Sequence, residues 1–219
     1  MKEIIFSLIL NALTSQVVCA NEDHEAKFQA SSWQILKYSS LKENTISFDK
    51  DLLTIGVDSS ASPLIYPLSA ATSFKKLHFK GHIKGTLNLK EKQGDKGADD
   101  FLVRVGVVYE GEQTLNFFQK AIAAKWITTL FELAPSGSGV SYIQFFNLYD
   151  DDRLKDQRRT HPQSELLKES FVAKASDQFD ITVDLDPTKK VLALWLSSDG
   201  DDTNSRFQVQ FEQIKLLSK

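Results

Sequence analysis

The segment from Lys76 to Lys90 alternates strictly between apolar and polar residues. The apolar and glycine set is Leu77, Phe79, Gly81, Ile83, Gly85, Leu87 and Leu89, and the polar set is Lys76, His78, Lys80, His82, Lys84, Asn88 and Lys90. A period of two is typical of a β-strand that buries one face and leaves the other in solvent. The chain therefore has to fold around a sheet, and the two glycines predict a bend or bulge in this strand.

Short apolar runs separated by turn residues continue along the chain and predict further strands. The run from Phe101 to Tyr109 is apolar in both phases apart from Arg104, which predicts a central strand covered on both faces. Residues 113–133 have helical periodicity instead. Their apolar stripe consists of Leu115, Phe118, Ile122, Trp126, Leu130 and Leu133. These patterns predict a mainly β protein, an antiparallel β-sandwich of the jelly-roll type with one inserted amphipathic helix at residues 113–133.

The amino terminus has the pattern of a secretory signal peptide. A short apolar run from Ile4 to Leu10 is followed by small residues, with Val18 and Ala20 at the −3 and −1 positions. We expect cleavage after Ala20 and export to the periplasm or the extracellular space, the alternative being an uncleaved anchor. Residues 21–32 are polar and predict a flexible lead-in. Residues 33–219 then form a single domain, a length that can bury a substantial core.

Composition excludes several classes of function. Cleavage removes Cys19, the only cysteine, so the mature chain has no disulfide, no thiol catalysis and no cysteine zinc site. The formal net charge of −3 gives no basic excess, which argues against a nucleic-acid partner. No segment after the signal is long and apolar enough to span a membrane.

Three segments of the chain carry a family resemblance: residues 59–62 with Leu64 after them, residues 99–105 running on to Tyr109, and residues 198–203 followed by a strand that ends at Ile214. Together they resemble an exported bacterial family known as domain of unknown function 3047. The resemblance covers about residues 33 to 217 and implies an exported sandwich domain. It implies no activity and no catalytic residue. The chain departs from the family at Leu77-His78-Phe79, where the family often has a tryptophan-rich strand.

Arg104 is the one charge on a strand that is predicted to be buried on both faces. An unpaired buried guanidinium is very costly, so we expect an acidic partner. The acidic loop that runs from Asp199 to Asp202 is the candidate, and we predict a structural ion pair between Arg104 and Asp201, or its neighbour Asp202. The alternative is an arginine that binds an anionic ligand.

The same loop is a candidate metal site. Asp199, Asp201 and Asp202 offer several oxygen ligands within a tight turn, as calcium prefers. The alternative is a solvated turn, and no other cofactor is predicted.

Two candidate ligand-binding surfaces follow from the strand patterns. Trp195 lies opposite Leu194 and Leu196 in phase, so it could form an aromatic platform for a sugar with Tyr142; the alternative is that Trp195 is a core residue. Lys80 and His82 belong to the basic stripe of the alternating strand, which could attract an acidic glycan. The alternative there is a solvated face or a protected sheet edge.

No catalytic motif is present. The sequence has no nucleophile elbow, no phosphate-binding glycine loop and no pair of carboxylates selected by spacing. We therefore predict a non-catalytic exported module that binds a carbohydrate or another component of the cell envelope. The alternatives are a carbohydrate-active enzyme (a lyase or a glycosidase) of the same architecture and a protein-interaction scaffold.

Overall fold

The computed structural model describes residues 22–162 and 164–219. Within them the chain forms thirteen β-strands and two α-helices. The strands are β1 (His24–Glu25), β2 (Gln34–Ile35), β3 (Thr45–Asp49), β4 (Leu52–Asp58), β5 (Leu64–Thr72), β6 (Lys76–Thr86), β7 (Val103–Gly111), β8 (Gly139–Tyr149), β9 (Arg158–His161), β10 (Ser164–Lys174), β11 (Gln178–Asp184), β12 (Val191–Ser197) and β13 (Arg206–Leu217). The helices are α1 (Phe117–Ile122) and α2 (Lys125–Glu132).

The strands form two sheets. The first has the order β11-β6-β13-β4-β3, with β1 added beside β13, and the second has the order β2-β5-β12-β7-β8-β10-β9. From β4 to β7, and again from β11 to β13, successive strands alternate between the sheets, as is typical of a jelly roll. The predicted fold class, a mainly β sandwich, is therefore confirmed. One pair departs from the predicted antiparallel pattern, because β8 and β10 run parallel after the excursion through β9.

The main core lies between the sheets, and the alternation in β6 shows how the sequence builds it. Leu77, Phe79 and Ile83 point into this core, while the residues between them face outward. The strands β7 and β12 are buried along almost their whole length because a second apolar cluster covers their outer face. The prediction of a central strand covered on both faces is confirmed for β7.

The prediction of one continuous helix at residues 113–133 is wrong. The chain is extended at Ala123 and Ala124, with ψ angles of 145° and 149°, and this divides the segment into α1 and α2. Residue type does not explain the break, since alanine is the best helix former. The halves differ in packing: Leu130 of α2 is buried in the outer cluster, whereas no residue of α1 is buried.

The predicted flexible lead-in, residues 21–32, instead packs on the sandwich where the structure describes it. The strand β4 pairs with β13 only as far as Phe211, and β1 pairs with the remaining part of β13. Ala26 and Phe28, which follow β1, are buried in the main core. The predicted signal peptide, residues 1–20, lies outside the described residues. No helix in the described ranges is long and apolar enough to cross a membrane.

Candidate functional site

Two rows of paired residues on the outer face of the second sheet position the candidate site. In the first row Arg104 of β7 pairs with Ser197 of β12 on one side and with Asn147 of β8 on the other. In the second row Gly106 lies between Trp195 of β12 and Phe145 of β8. Because paired residues point to the same side of a sheet, Arg104 and the two aromatic rings share one face.

Gly106 is needed for this arrangement. A Cβ atom at this position would lie 2.8 Å from two ring carbons of Phe145, closer than van der Waals contact allows. The absence of a side chain lets the ring of Phe145 lie across β7. Gly106 therefore leaves space above the centre of the sheet.

A cavity of about 420 Å³ occupies this space. Four aromatic side chains, Tyr38, Trp126, Phe145 and Trp195, contribute to its walls. Its charged lining consists of Asp99, Arg104, His161 and Asp199. The aromatic residues come from the loop after β2, from α2, from β8 and from β12. The cavity is therefore built by parts of the chain that are far apart in sequence.

Arg104 is the central cation of the cavity, and its side chain is 8% exposed. Its Nη2 donates to the backbone oxygen of Asp99 at 2.7 Å and lies 3.2 Å from the Oδ1 atom of the same residue. Carboxylate oxygens of Glu169 and Asp199 lie 3.8 Å from its other nitrogens. The guanidinium also lies over the ring of Phe101, 4.3 Å from the centroid. The pairing and the ring together make a buried guanidinium tolerable.

Asp99 joins this arginine to two further cations. Its Oδ1 accepts from Arg159 Nη2 at 3.2 Å, and its Oδ2 lies 2.7 Å from His161 Nε2. Glu169, whose side chain is fully buried, accepts from Arg159 Nε at 2.7 Å and from Asn147 Nδ2 at 2.8 Å. The floor of the cavity is thus a network in which each carboxylate contacts at least one guanidinium.

Asp99 and Asp199 have pKa values shifted in opposite directions. Burial opposes ionisation of Asp99, but the hydrogen bond with His161 and the charges of Arg104 and Arg159 outweigh it and hold the pKa below its usual range. For Asp199, burial dominates over the attraction of Arg104 and raises the pKa of this carboxyl to about 8. The pKa of Tyr38 is also raised, to about 12, by burial and by the neighbouring Asp199. The network therefore contains two aspartic acids whose pKa values are shifted to opposite sides of the usual range, around a permanent cation.

The Nε atom of Arg104 is buried, and within the described residues it donates no hydrogen bond. The nearest carboxylate oxygen, Asp199 Oδ2, is 3.8 Å away, which is too far for one. A buried donor of this kind is costly unless a partner satisfies it.

The sequence-predicted ion pair between Arg104 and Asp201 is wrong. The acidic loop does supply a partner, but that partner is Asp199, the first of its acids. The reason is the turn that follows: Ser205 N donates to Gly200 O, and Asp100 holds Thr203 through two short hydrogen bonds. Only the start of the loop therefore lies over the second sheet.

The structure gives no support to a ligand set made of Asp199, Asp201 and Asp202. Asp199 Oδ1 accepts from the backbone of Phe101, and Asp202 Oδ2 accepts from the backbone of Asp99, each at 3.2 Å. In the described part of the chain, the histidine and acidic residues whose ligand atoms lie within 4.8 Å of one another are Asp99, His161 and Glu169. Guanidinium groups already neutralise both of these carboxylates, so this group does not fit a cation well. Calcium in the loop stays a prediction.

Trp195 and Tyr142 do not form one platform. Trp195 is 3% exposed and faces the cavity, whereas Tyr142 packs towards the core between the sheets, where its ring meets Tyr109. The two rings therefore lie on opposite faces of the second sheet. Trp195 does point away from the core leucines, as its phase predicts, but α2 and the loop after β2 cover it.

Lys80 and His82 lie on the other sheet, far from the cavity in the fold. Their nitrogens lie 3.7 Å and 2.8 Å from the carboxylate oxygens of Glu212 on β13. Along the same strand, His78 lies 2.8 Å from Asp180 of β11. Acidic residues of the neighbouring strands thus neutralise much of the predicted basic stripe.

Sequence reasoning missed several residues of the network, namely Tyr38, Asp99, Arg159, His161 and Glu169. Asp99 had a usable signal, because it directly precedes an apolar strand that carries a single arginine. The others lie in β9, β10 or a loop whose patterns do not mark a buried face. Trp126, which belongs to the apolar stripe predicted for the helix, packs against the outer apolar cluster and lies half-buried in the cavity wall.

The fold and the cavity define a two-sheet β-sandwich with a site on the outer face of one sheet. Neither a family model nor a curated protein sequence matches the chain, so the resemblance to domain of unknown function 3047 stays a prediction.

Solved structures similar to the chain include a family 11 carbohydrate-binding module from Clostridium thermocellum in complex with a mixed-linked tetrasaccharide, at 9% identity and a TM-score of 0.42, covering 90% of this chain and 95% of that one. Another is a family 29 carbohydrate-binding module from Piromyces equi, at 13% identity and a TM-score of 0.37, covering 91% and 88%. A third is the tailspike protein 4 of bacteriophage CBA120, at 7% identity and a TM-score of 0.40, covering 88% and 20%. The ligand of this chain has to be inferred from its own side chains.

Proposed function

We propose that this protein is a binding module for a neutral saccharide, held in the cavity over β7 between Trp126, Trp195 and Arg104. The observation that carries the proposal is the lining of the cavity, in which aromatic walls meet the guanidinium of Arg104 and the carboxyls of Asp99 and Asp199. A hydroxyl group both donates and accepts, so the hydroxyls of a sugar suit a lining that offers both a guanidinium and carboxyl groups.

Charge favours a neutral ligand. An anionic ligand at the guanidinium would meet the carboxylates of Asp99 and Glu169, and a cationic ligand would meet Arg104 and Arg159. Burying an uncompensated charge in such a site costs several kcal/mol. A polyol, which forms many hydrogen bonds and carries no charge, avoids both penalties.

Volume and aromatic content support the same class of ligand. Small-molecule sites commonly have volumes of about 300–1,000 Å³, aromatic walls and a few precisely placed polar groups. The cavity of about 420 Å³, with two tryptophans and a tyrosine in its walls, has this composition. The C–H faces of a sugar ring can pack against indole, while its hydroxyl groups reach the charged floor.

Calorimetric titration with a panel of neutral and acidic oligosaccharides tests the proposal. We expect binding of at least one neutral saccharide, with a loss of tenfold or more in affinity for Trp126→Ala and a smaller loss for Trp126→Phe, which keeps a ring. The matched control is Lys80→Met on the other sheet, which should bind like the wild type. Preferential binding of acidic glycans that Lys80→Met abolishes would instead assign the site to the basic stripe of β6.

A second candidate function is cleavage of the bound saccharide, and one observation favours it. Asp99 and Asp199 contact the same guanidinium, yet one has a lowered pKa and the other a raised pKa. Such pairs can divide the roles of base and acid between them. Release of new chain ends from an oligosaccharide that binds, abolished in Asp199→Asn while binding persists, would establish an enzyme. Intact oligosaccharide after long incubation would leave a binding module.

We also propose that the protein is exported after cleavage of a signal peptide. The support is the apolar run and the small residues before Asn21 in the sequence. Mass spectrometry of the protein from fractionated cells should find an amino terminus at Asn21 in the exported fraction. A chain that retains residues 1–20 and stays with the membranes would favour the uncleaved anchor.

A further inference from the structure

The helix α1 is exposed on all sides. None of its six residues is buried or half-buried, and its three large apolar side chains, Phe117, Phe118 and Ile122, are 81%, 79% and 87% exposed. In the described part of the chain the only other large apolar residue in this class is Ile35, which is 42% exposed. Asn116 and Gln119 cap the helix reciprocally, so its backbone is stabilised locally although nothing covers it. Three such residues on one short element mark an interaction surface.

The charged residues of α1 and of the start of α2 are basic, although Glu165 lies in the lining of the groove beside them. From Gln113 to Phe131 the sequence contains Lys120 and Lys125 and no acidic residue. Both lysines are exposed, and neither forms an ion pair with an acidic side chain of the described residues. A chain of net charge −3 therefore presents a local segment of charge +2 beside its most exposed apolar side chains. Exposed apolar side chains next to lysines complement a surface whose outer layer is anionic and whose interior is apolar.

The size and shape of the patch argue against a second copy of the chain. A stable protein interface buries about 1,200–2,000 Å² and involves about 20–30 residues on each side. Here three side chains protrude, and the groove beside them mixes apolar residues such as Leu115, Ile127 and Phe131 with polar ones such as Gln113 and Thr114. Protruding apolar side chains with neighbouring lysines instead have the geometry of an amphipathic anchor at a lipid surface.

We propose that α1 inserts Phe117, Phe118 and Ile122 into the interfacial region of an anionic lipid bilayer, with Lys120 and Lys125 at the headgroups. This attachment is peripheral and reversible, because so small a helix buries little apolar surface. It is independent of the saccharide site. The anchor places the protein at a membrane surface while leaving the cavity over β7 free.

Quenching of tryptophan fluorescence by brominated lipid tests the insertion directly. Phe118→Trp places an indole in the patch, and Ile35→Trp places one at the exposed apolar position outside it. With vesicles of brominated phosphatidylglycerol, we expect the emission added by Phe118→Trp to be quenched and that added by Ile35→Trp to be unaffected. Because both variants carry the same amino terminus, residues 1–21 contribute equally to each. Equal quenching, or none, overturns the proposal.

Vesicle co-sedimentation of the full chain tests the charge requirement. A lysine near an anionic surface contributes about fivefold to membrane affinity. The variant Lys120→Glu/Lys125→Glu should therefore bind phosphatidylglycerol vesicles at least tenfold more weakly, with little change for phosphatidylcholine, and high salt should weaken wild-type binding. Concentration-dependent dimers that Phe118→Ser abolishes, without any vesicle binding by the patch, would assign the surface to a second copy and contradict the proposal.

Discussion

The outer face of β6 carries its charges in solvent, whereas the outer face of β7 carries a charge that the protein buries. On β6, lysines and histidines pair with acids of neighbouring strands, and these pairs are largely exposed, as in the pair of Lys80 at 38% with Glu212 at 36%. On β7, Arg104 and its partners lie beneath aromatic side chains and α2. Exposed ion pairs contribute about 0–1 kcal/mol, while breaking a buried pair costs about 3–5 kcal/mol.

The difference shows that the two sheets place their polar groups in different environments. The first sheet uses one face for the core and the other for solubility, and its charges can be exchanged at little cost. The second sheet buries both faces at β7 and β12, so a polar group on these strands has to be held by a specific network. Such a network can shift the pKa values of two carboxyls in opposite directions around one guanidinium, as at Asp99 and Asp199.

The largest expected effect comes from removing the central cation. Arg104→Met should lower the free energy of unfolding by about 3–5 kcal/mol, because Glu169 and Asp99 stay buried with less positive charge around them. The control is Arg206→Met in the first sheet, whose 80% exposed side chain pairs with Asp58 and should contribute less than about 1 kcal/mol. Urea titration of both variants checks the comparison. Equal effects would show that the two faces do not differ as described.

Filling the space at the centre of β7 should have the next largest effect. Gly106→Ala pushes a Cβ atom against Phe145 and should cost about 1–3 kcal/mol, as overpacking does. It should also weaken saccharide binding, because the displaced Phe145 lines the cavity. Gly56→Ala on β4 is the control, since its nearest contact would be an ordinary 3.5 Å from Thr45. Thermal unfolding of both variants measures the difference, and a Gly106→Ala protein as stable as Gly56→Ala would contradict the packing argument.

The raised pKa of Asp199 predicts a pH dependence of stability. Between pH 4 and 8 the folded state holds a proton on Asp199 that the unfolded state releases, so this residue stabilises the fold at low pH and the contribution is lost as the pH rises towards 8. Asp199→Asn removes this dependence, which amounts to at most about 1.4 kcal/mol per pH unit. Denaturant unfolding from pH 5 to pH 8 should show a shallower slope for the variant. Parallel slopes would mean that Asp199 is ionised in the folded protein.

The smallest effect is expected on the outer face of β6. Lys80→Met removes a long contact of 3.7 Å between exposed groups, so the free energy of unfolding should change by less than about 1 kcal/mol. Saccharide affinity should also stay the same. A large change in either quantity, measured by urea titration and by calorimetry, would give the basic stripe a role that its neutralised charges do not predict.

The sequence predicted most of the fold because the sheet patterns are local. Alternation in β6 and the apolar run of β7 specify which faces are buried, and the lone Arg104 correctly indicated an acidic partner. The identity of that partner depends on how the loop after β12 turns, which no local pattern specifies. The sequence did predict that Trp195 points away from the core leucines. That α2 and the loop after β2 cover this residue, and that Tyr142 lies on the other face of the sheet, depends on contacts between distant segments.

The rest of the site could not be predicted for the same reason. Asp99, His161 and Glu169 lie near one another only because β10 runs parallel to β8 and β9 folds back beside it. The break between α1 and α2 is also a tertiary effect, since alanines join the two helices. Contacts between distant segments, rather than residue type, therefore determine both the cluster of site residues and the break between the two helices.

The three tryptophans of the chain offer the most direct test of the central claim that the cavity over β7 binds the ligand. Trp126 and Trp195 line the cavity, whereas Trp33 is buried in the core between the sheets. In a Trp33→Phe variant that keeps the fold, all indole emission comes from the cavity walls. A saccharide that calorimetry shows to bind should change this emission with the same dissociation constant. Saturable binding that leaves the emission unchanged would place the ligand elsewhere and contradict the account.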